Sequence, residues 1–225
     1  MPKIKLSALQ KDVLLFFGKN EFSKNFYWTG GTLLSYLYLS HRLSIDLDFF
    51  SDDLFRDEKY LEFINNLKAG CKIERASEII KENRRLYVLE KGDENVKLEL
   101  VFFPFPAIEK REKVKEFSVL ADSLTDIMVN KTLSTYQRNE VKDIYDLYYY
   151  LKNRSKYDLF RLVKLVEKKF GVSIEQSLLL EKINQLVDNM KIIKPFLVDN
   201  DENLDREIKQ YFQNYFNDLA KNKLI

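Results

Sequence analysis

Asp46 and Asp48 stand two residues apart in Ser44-Ile45-Asp46-Leu47-Asp48-Phe49-Phe50, where apolar and polar residues alternate. On a strand such a pair faces one way, roughly 6–7 Å apart at the backbone. Two carboxylates so placed repel each other, and a cation is the usual remedy. Hard divalent cations take carboxylate oxygens and complete their shell with water and phosphate. Two Mg²⁺ ions about 3.5–4 Å apart can hold both the attacking and the leaving oxygen of a displacement at phosphorus. The pair therefore suits phosphoryl or nucleotidyl transfer, which is mostly positioning and charge neutralisation. A solvated strand face is the competing explanation for a bare Asp-x-Asp.

The surrounding residues favour the site. A short aromatic run, Phe26-Tyr27-Trp28-Thr29, leads into Gly30-Gly31-Thr32 and then a helical pattern at Leu33, Leu34, Leu37 and Tyr38. Glycines let backbone N–H groups approach an anion, and a helix start adds free donors. Thr32 adds a hydroxyl. A third carboxylate is expected from a neighbouring strand, and Glu99 sits mid-run in Val96–Phe103 with Leu98, Leu100 and Phe102 facing the other way. Glu is depleted in strand interiors, so its place there has meaning. The alternative is a cross-strand partner for a surface lysine. Arg42 fits either a phosphate contact or a brace for Asp46. His41, the single histidine, is assigned no chemistry.

These residues need a scaffold of alternating elements. Helical spacing predicts helices over 7–18 and 57–69, the latter carrying Tyr60, Leu61, Ile64 and Leu67. Strands are expected at 26–29, at Ser44 to Phe50 with Ile45, Leu47 and Phe49 inward, and at 72–77, 85–90 and 96–103, the last two joined as a hairpin by Lys91-Gly92-Asp93-Glu94-Asn95. After about 117 the pattern is helical, over 119–137, 140–153, 156–169, 173–190 and 203–221. Ser173 with Gln176 reads as a capping box. The fold class is α+β: a mixed sheet with flanking helices in 1–117, then a helical bundle in 118–225.

Composition bounds the rest. The chain has 225 residues, 45% hydrophobic and 32% charged, with a net charge of only +2, so any nucleic-acid surface must be a local patch. Lys81, Arg84 and Arg85 form one such spot. The stretch 152–169 is another, with seven lysines and arginines interleaved with aromatics; its alternative is an amphipathic helix with a solvated basic face. One cysteine, Cys71, excludes an internal disulfide and reads as a structural thiol. No apolar stretch follows Met1-Pro2-Lys3 as in a secretory leader, and no run approaches the roughly 18 apolar residues that span a bilayer. A cytoplasmic protein with no membrane partner is expected.

Gly30-Gly31-Thr32-Leu33 followed by His41 to Phe50 resembles the nucleotidyl transferase AbiEii/AbiGii toxin family, toxins of type IV toxin–antitoxin and abortive-infection systems related to DNA polymerase β. Asp126-Ile127-Met128-Val129-Asn130-Lys131 resembles its helical Asp…Lys motif, and Arg138 with Lys142-Asp143-Ile144-Tyr145-Asp146-Leu147 its Lys-Asp-x-x-Asp-Leu motif. The matches run in family order from about 28 to 150. The resemblance implies a polymerase β-like domain with Asp46 and Asp48 as metal ligands and Gly30, Gly31 and Thr32 as the phosphate cradle. It implies that Lys131 contacts the triphosphate and that Asp143 is a second-domain acid, with Asp146 one turn on. The family often has Asp where this chain has Glu99. The implied activity is Mg²⁺- or Mn²⁺-dependent transfer of a nucleoside monophosphate from an NTP to a tRNA 3′ end, opposed by a cognate antitoxin protein. A catalytically silent nucleotide- or RNA-binding module, and nucleotidylation of a small molecule or protein hydroxyl, are the alternatives.

Overall fold

A computed structural model describes residues 4–54, 57–81, 83–198 and 202–223; Met1, Pro2 and Lys3, read above for a leader, lie outside them. The chain forms two compact units, Met1–Leu124 and Thr125–Ile225.

The first unit is built on seven strands: β1 (Phe26–Thr29), β2 (Leu47–Ser51), β3 (Arg75–Lys81), β4 (Arg84–Lys91), β5 (Glu94–Phe102), β6 (Glu112–Val114) and β7 (Val119–Ala121). They lie in the order β3-β4-β5-β2-β1-β7-β6. The sheet is mixed: β1 runs parallel to β7 and β2 parallel to β5, and the other neighbours are antiparallel. The β4–β5 hairpin forms as expected, with Lys91 opposite Glu94 across a two-residue turn. Helices α1 (Ala8–Lys19), α2 (Gly30–Leu33) and α3 (Asp57–Cys71) accompany the sheet.

Strand β2 is central because its alternate side chains are apolar enough to be buried. Phe49 is fully buried, and its ring stacks on Phe17 of α1 with centroids 3.8 Å apart. Phe17 in turn meets Phe63 of α3 edge-on at 5.0 Å. This cluster ties both helices to the sheet.

Several expectations are corrected. Strand β2 begins at Leu47, so Asp46 falls one residue before it, and Ile45 is 54% exposed rather than inward. The backbone ahead of β2 is tied by side chains instead of a ladder: Gln10 Nε2 donates to the Ser44 carbonyl at 3.1 Å, and the Thr32 hydroxyl donates to the Asp46 carbonyl. The helix after Gly30 widens into a π-helical turn over Leu34–Leu39. Leu34 and Leu39, five apart, are then both buried, while Leu37 is exposed. Strand β3 starts at Arg75 rather than 72, and Leu61 of α3 is exposed.

The helix expected at 119 begins at Leu124, because Val119–Ala121 adds to the β1 edge with Leu120 opposite Tyr27. The capping box belongs to Ser7 and Gln10 at the start of α1. At the other candidate, Ile174 is buried, the chain stays non-helical through Glu175, and the helix starts only at Gln176.

The second unit consists of α4 (Leu124–Gln137), α5 (Val141–Asn153), α6 (Leu159–Phe170), α7 (Gln176–Val187) and α8 (Leu204–Lys223). In the basic stretch Leu159, Leu162, Val163 and Val166 are buried while Arg161, Lys164 and Lys168 are exposed, as the amphipathic-helix reading expects; Lys169 departs from it and is buried. Among the described residues no helix is long and apolar enough to cross a membrane.

Truncating Phe49 to alanine removes the ring that joins α1 to β2. Phe49→Ala should cost about 3–5 kcal/mol of stability, read by urea unfolding; a loss under about 1 kcal/mol would show that the cluster is not holding the sheet.

Candidate active site

Gly30 ends β1 with φ +79°, a left-handed backbone that costs other residues about 1–2 kcal/mol. A Cβ built there would overlap the Asp48 carboxylate. The pairing explains the approach, since Thr29 lies opposite Asp48 across the antiparallel β1–β2 ladder. A Cβ on Gly31 would lie 2.7 Å from Arg42 Nη2, so the two glycines leave room for an acid and a guanidinium. Arg42 is 5% exposed, and its Nη1 donates to the Leu43 carbonyl at 3.1 Å.

Asp48 lies directly opposite Glu99 in the parallel β2–β5 pairing. Paired residues project from the same face of a sheet, so both carboxylates belong to one side. Arg84 Nη1 lies 3.1 Å from Glu99 Oε1, so the cross-strand partner weighed for Glu99 is an arginine. The pair is not aligned as a hydrogen bond, and this oxygen is buried without one. Thr32 and Asp46 are joined through hydroxyl and carbonyl. His41 is buried beside this segment.

One acid here escaped the sequence reading. Asp122, directly after β7, is buried and accepts a hydrogen bond from the Thr29 hydroxyl at 3.0 Å. Arg111 Nε lies 3.7 Å from it, while the same guanidinium pairs with Asp52 and stacks 3.5 Å from the Tyr27 ring centre. Burial, then the charge of Asp122, pushes the nearby Tyr38 phenol up to about 12, so it remains a donor to the Asp122 carbonyl at 2.8 Å. The sequence carries no signal for it, since Val119, Leu120 and Ala121 are all apolar and become a strand by pairing with β1.

Among the described residues no three His, Cys, Asp or Glu side chains stand together closely enough to hold a metal ion. The donor chemistry still fits one. Asp48 and Glu99 offer hard oxygens at one register, and the buried Glu99 oxygen lacks a hydrogen bond. Water and substrate phosphate normally complete such a shell.

The remaining predicted residues gather in the second unit. Lys131 is buried, and its Nζ lies 2.6 Å from Asp143 Oδ1 and 2.8 Å from Asp146 Oδ2. Arg138 Nε donates to Asp143 Oδ2 at 2.7 Å. Burial alone would raise the Asp143 pKa, but Lys131 and Arg138 outweigh it and hold the carboxyl below the usual carboxylate range. The amine expected to meet a triphosphate is thus matched here by two carboxylates. A second buried pair, Lys169 with Asp126 at 2.7 Å, joins α6 to α4.

Two outcomes follow. Gly30→Ala should destabilise the fold, and the loss should shrink in an Asp48→Ala background, with a coupling of about 1 kcal/mol or more; equal losses in both backgrounds would deny the contact. Asp143→Ala should cost about 1.5–3 kcal/mol by removing the charged acceptor that Lys131 and Arg138 share, with Asp146 remaining beside Lys131. Because the folded pKa is depressed, the native carboxylate's stabilisation is complete above the unfolded value of about 3.9. It is lost as pH falls through the folded pKa. Urea titrations of both proteins from pH 7 downward should therefore converge in acid.

The sequence model of the AbiEii nucleotidyl transferase toxin family, type IV toxin–antitoxin system, matches residues 14–223. An uncharacterized Aquifex aeolicus (strain VF5) protein, aq_aa25, is 28% identical over 194 residues, covering 84% of this chain and 89% of the relative. The fold resembles JHP933 from Helicobacter pylori at TM-score 0.60 and 15% identity, covering 97% of this chain and all of that one. It also resembles MenT4, the nucleotidyltransferase toxin Rv2826c of Mycobacterium tuberculosis H37Rv, at TM-score 0.53 and 13% identity, covering 91% of this chain and 80% of the other. A mixed sheet with paired acids, matched along nearly its whole length, places this protein: the chain belongs to the AbiEii nucleotidyl transferase toxin family and is a nucleotidyltransferase.

Proposed function

We propose that this enzyme transfers a nucleoside monophosphate from an NTP to the 3′ hydroxyl of an RNA, in the first instance a tRNA, with release of pyrophosphate. A cognate antitoxin would oppose it, as the type IV family implies. The observation that carries the reading is the register of Asp48 opposite Glu99, with the Gly30 turn packed against Asp48.

Asp48 and Glu99 would hold Mg²⁺, or Mn²⁺ in its place, with Asp46 joining them when substrate phosphate and water complete the shell. The ion would neutralise triphosphate charge and favour the ionised acceptor hydroxyl. The chain's own residues orient the partners. Gly30 and Gly31 give the backbone close approach to phosphate, and Arg42 brings a guanidinium to the same turn. Thr32 braces the backbone at Asp46 through its hydroxyl. In the transfer, the acceptor oxygen bonds to the α-phosphorus and the bond to the pyrophosphate oxygen breaks. Lys131 and Asp143 contribute as a charge-matched pair fixing α4 against α5.

Incubating the enzyme with each α-phosphate-labelled NTP and total tRNA, or whole-cell protein, should put label into RNA. Asp46→Ala and Asp48→Ala should each remove at least about 99% of transfer, since loss of a metal ligand removes several kcal/mol of transition-state charge stabilisation. Full activity in both variants, or label in protein alone, would overturn the reading.

A further inference from the structure

On the side of the sheet that carries Asp48 and Glu99, the outer strands β3 and β4 are open. Register places Asp48, Glu99, Leu86 and Ile79 in one row across β2, β5, β4 and β3, all on the same face. The opposite face of β4 and β5 is filled, with Tyr87, Leu89, Leu98 and Leu100 buried. On the carboxylate side Ile79 is 55% exposed, and Leu86 and Val88 are half-buried. An apolar strip therefore runs from the free edge of the sheet straight to Glu99.

Cations flank that strip on both sides. Lys81 and Arg84 lie opposite each other in the next row, and Lys97 lies opposite Val88 in the row before. Glu90, on the same face, is already matched by Arg75 at 2.7 Å. Single-stranded nucleic acid binds where cations track its phosphates, and exposed aliphatic side chains beside them give its bases an apolar surface to cover. A peptide adding to the β3 edge would use backbone groups there and would have no use for Lys97, two strands further in.

We propose that this face seats the unpaired end of the acceptor RNA. Ile79, Leu86 and Val88 would carry its bases, Lys81 and Lys97 its phosphates, and the row would lead the terminal hydroxyl to the acids. The proposal rests on the nucleotidyl-transfer reading of Asp48 and Glu99.

The test uses the full chain and a fluorescent single-stranded RNA oligonucleotide. The double reversal Lys81→Glu/Lys97→Glu should weaken RNA binding at least tenfold and flatten the log–log salt dependence by about 1.4, since two phosphates would no longer be neutralised. Ile79→Asp should weaken binding similarly with little change in that slope. Affinity for labelled NTP, by equilibrium dialysis, should stay at the wild-type value in both. If the reversal unfolds the protein, Lys81→Gln/Lys97→Gln removes the same charges with less disturbance, and melting temperature checks each variant. Wild-type RNA affinity in the folded variants overturns the proposal, whether or not they lose a protein partner instead. The two readings fail separately. RNA labelled by the variants with unchanged KM sinks this face and leaves the transfer reading intact. RNA bound by the wild type, lost in the variants, yet labelled by none of the four NTPs keeps the face and sinks the transfer reading.

Discussion

Residue 30 has to be glycine because the Asp48 carboxylate stands where a side chain would be. That one contact joins a backbone turn to an acid and depends on strands being placed correctly. Thr29 opposite Asp48 brings the turn to the acid, and Asp48 opposite Glu99 brings the second acid to the first. A slip of one residue in either ladder would send the acids to the buried face. The apolar positions of β2, with Phe49 locked against Phe17, make such a slip costly. The hydrophobic core thereby fixes the register on which the polar site depends.

The second unit solves a different electrostatic problem. Its buried charges come in matched sets: Lys131 with Asp143 and Asp146, Arg138 with Asp143, and Lys169 with Asp126. Desolvating such groups is costly, and pairing chiefly prevents the larger cost of an unmatched buried charge. The sets join α4 to α5 and α4 to α6, so they specify which helices meet more than they add stability. Asp126 and Lys131 of one sequence motif, and Asp143 and Asp146 of the other, are members of these networks.

The two faces of the first unit's sheet divide its labour. One is filled by aromatic and aliphatic side chains from α1 and α3 and sets the register. The other carries the acids, with cations and a thin apolar strip reaching the surface at Ile79 and Lys81. A strand's alternation allows both at once, since neighbouring residues belong to opposite sides.

By itself the sequence determined the chemistry-bearing parts: the Gly30-Gly31 turn, the Asp46–Asp48 spacing, Glu99 among apolar neighbours, the β4–β5 hairpin and the helical character of the second half. These are local patterns with periods of two or 3.6 residues, so they are legible in one dimension. Only the tertiary structure decided that Glu99 stands opposite Asp48, because parallel pairing of β2 with β5 is a contact between residues far apart in the chain. The same limit hid β7 and Asp122, whose three-residue strand exists only because β1 offers an edge. It also hid the burial of Lys131 and Lys169, since a lysine's sequence neighbours do not reveal the carboxylate that folding brings to it. The start of β2 at Leu47 was likewise set from outside, by Gln10 and Thr32 taking the carbonyls of Ser44 and Asp46.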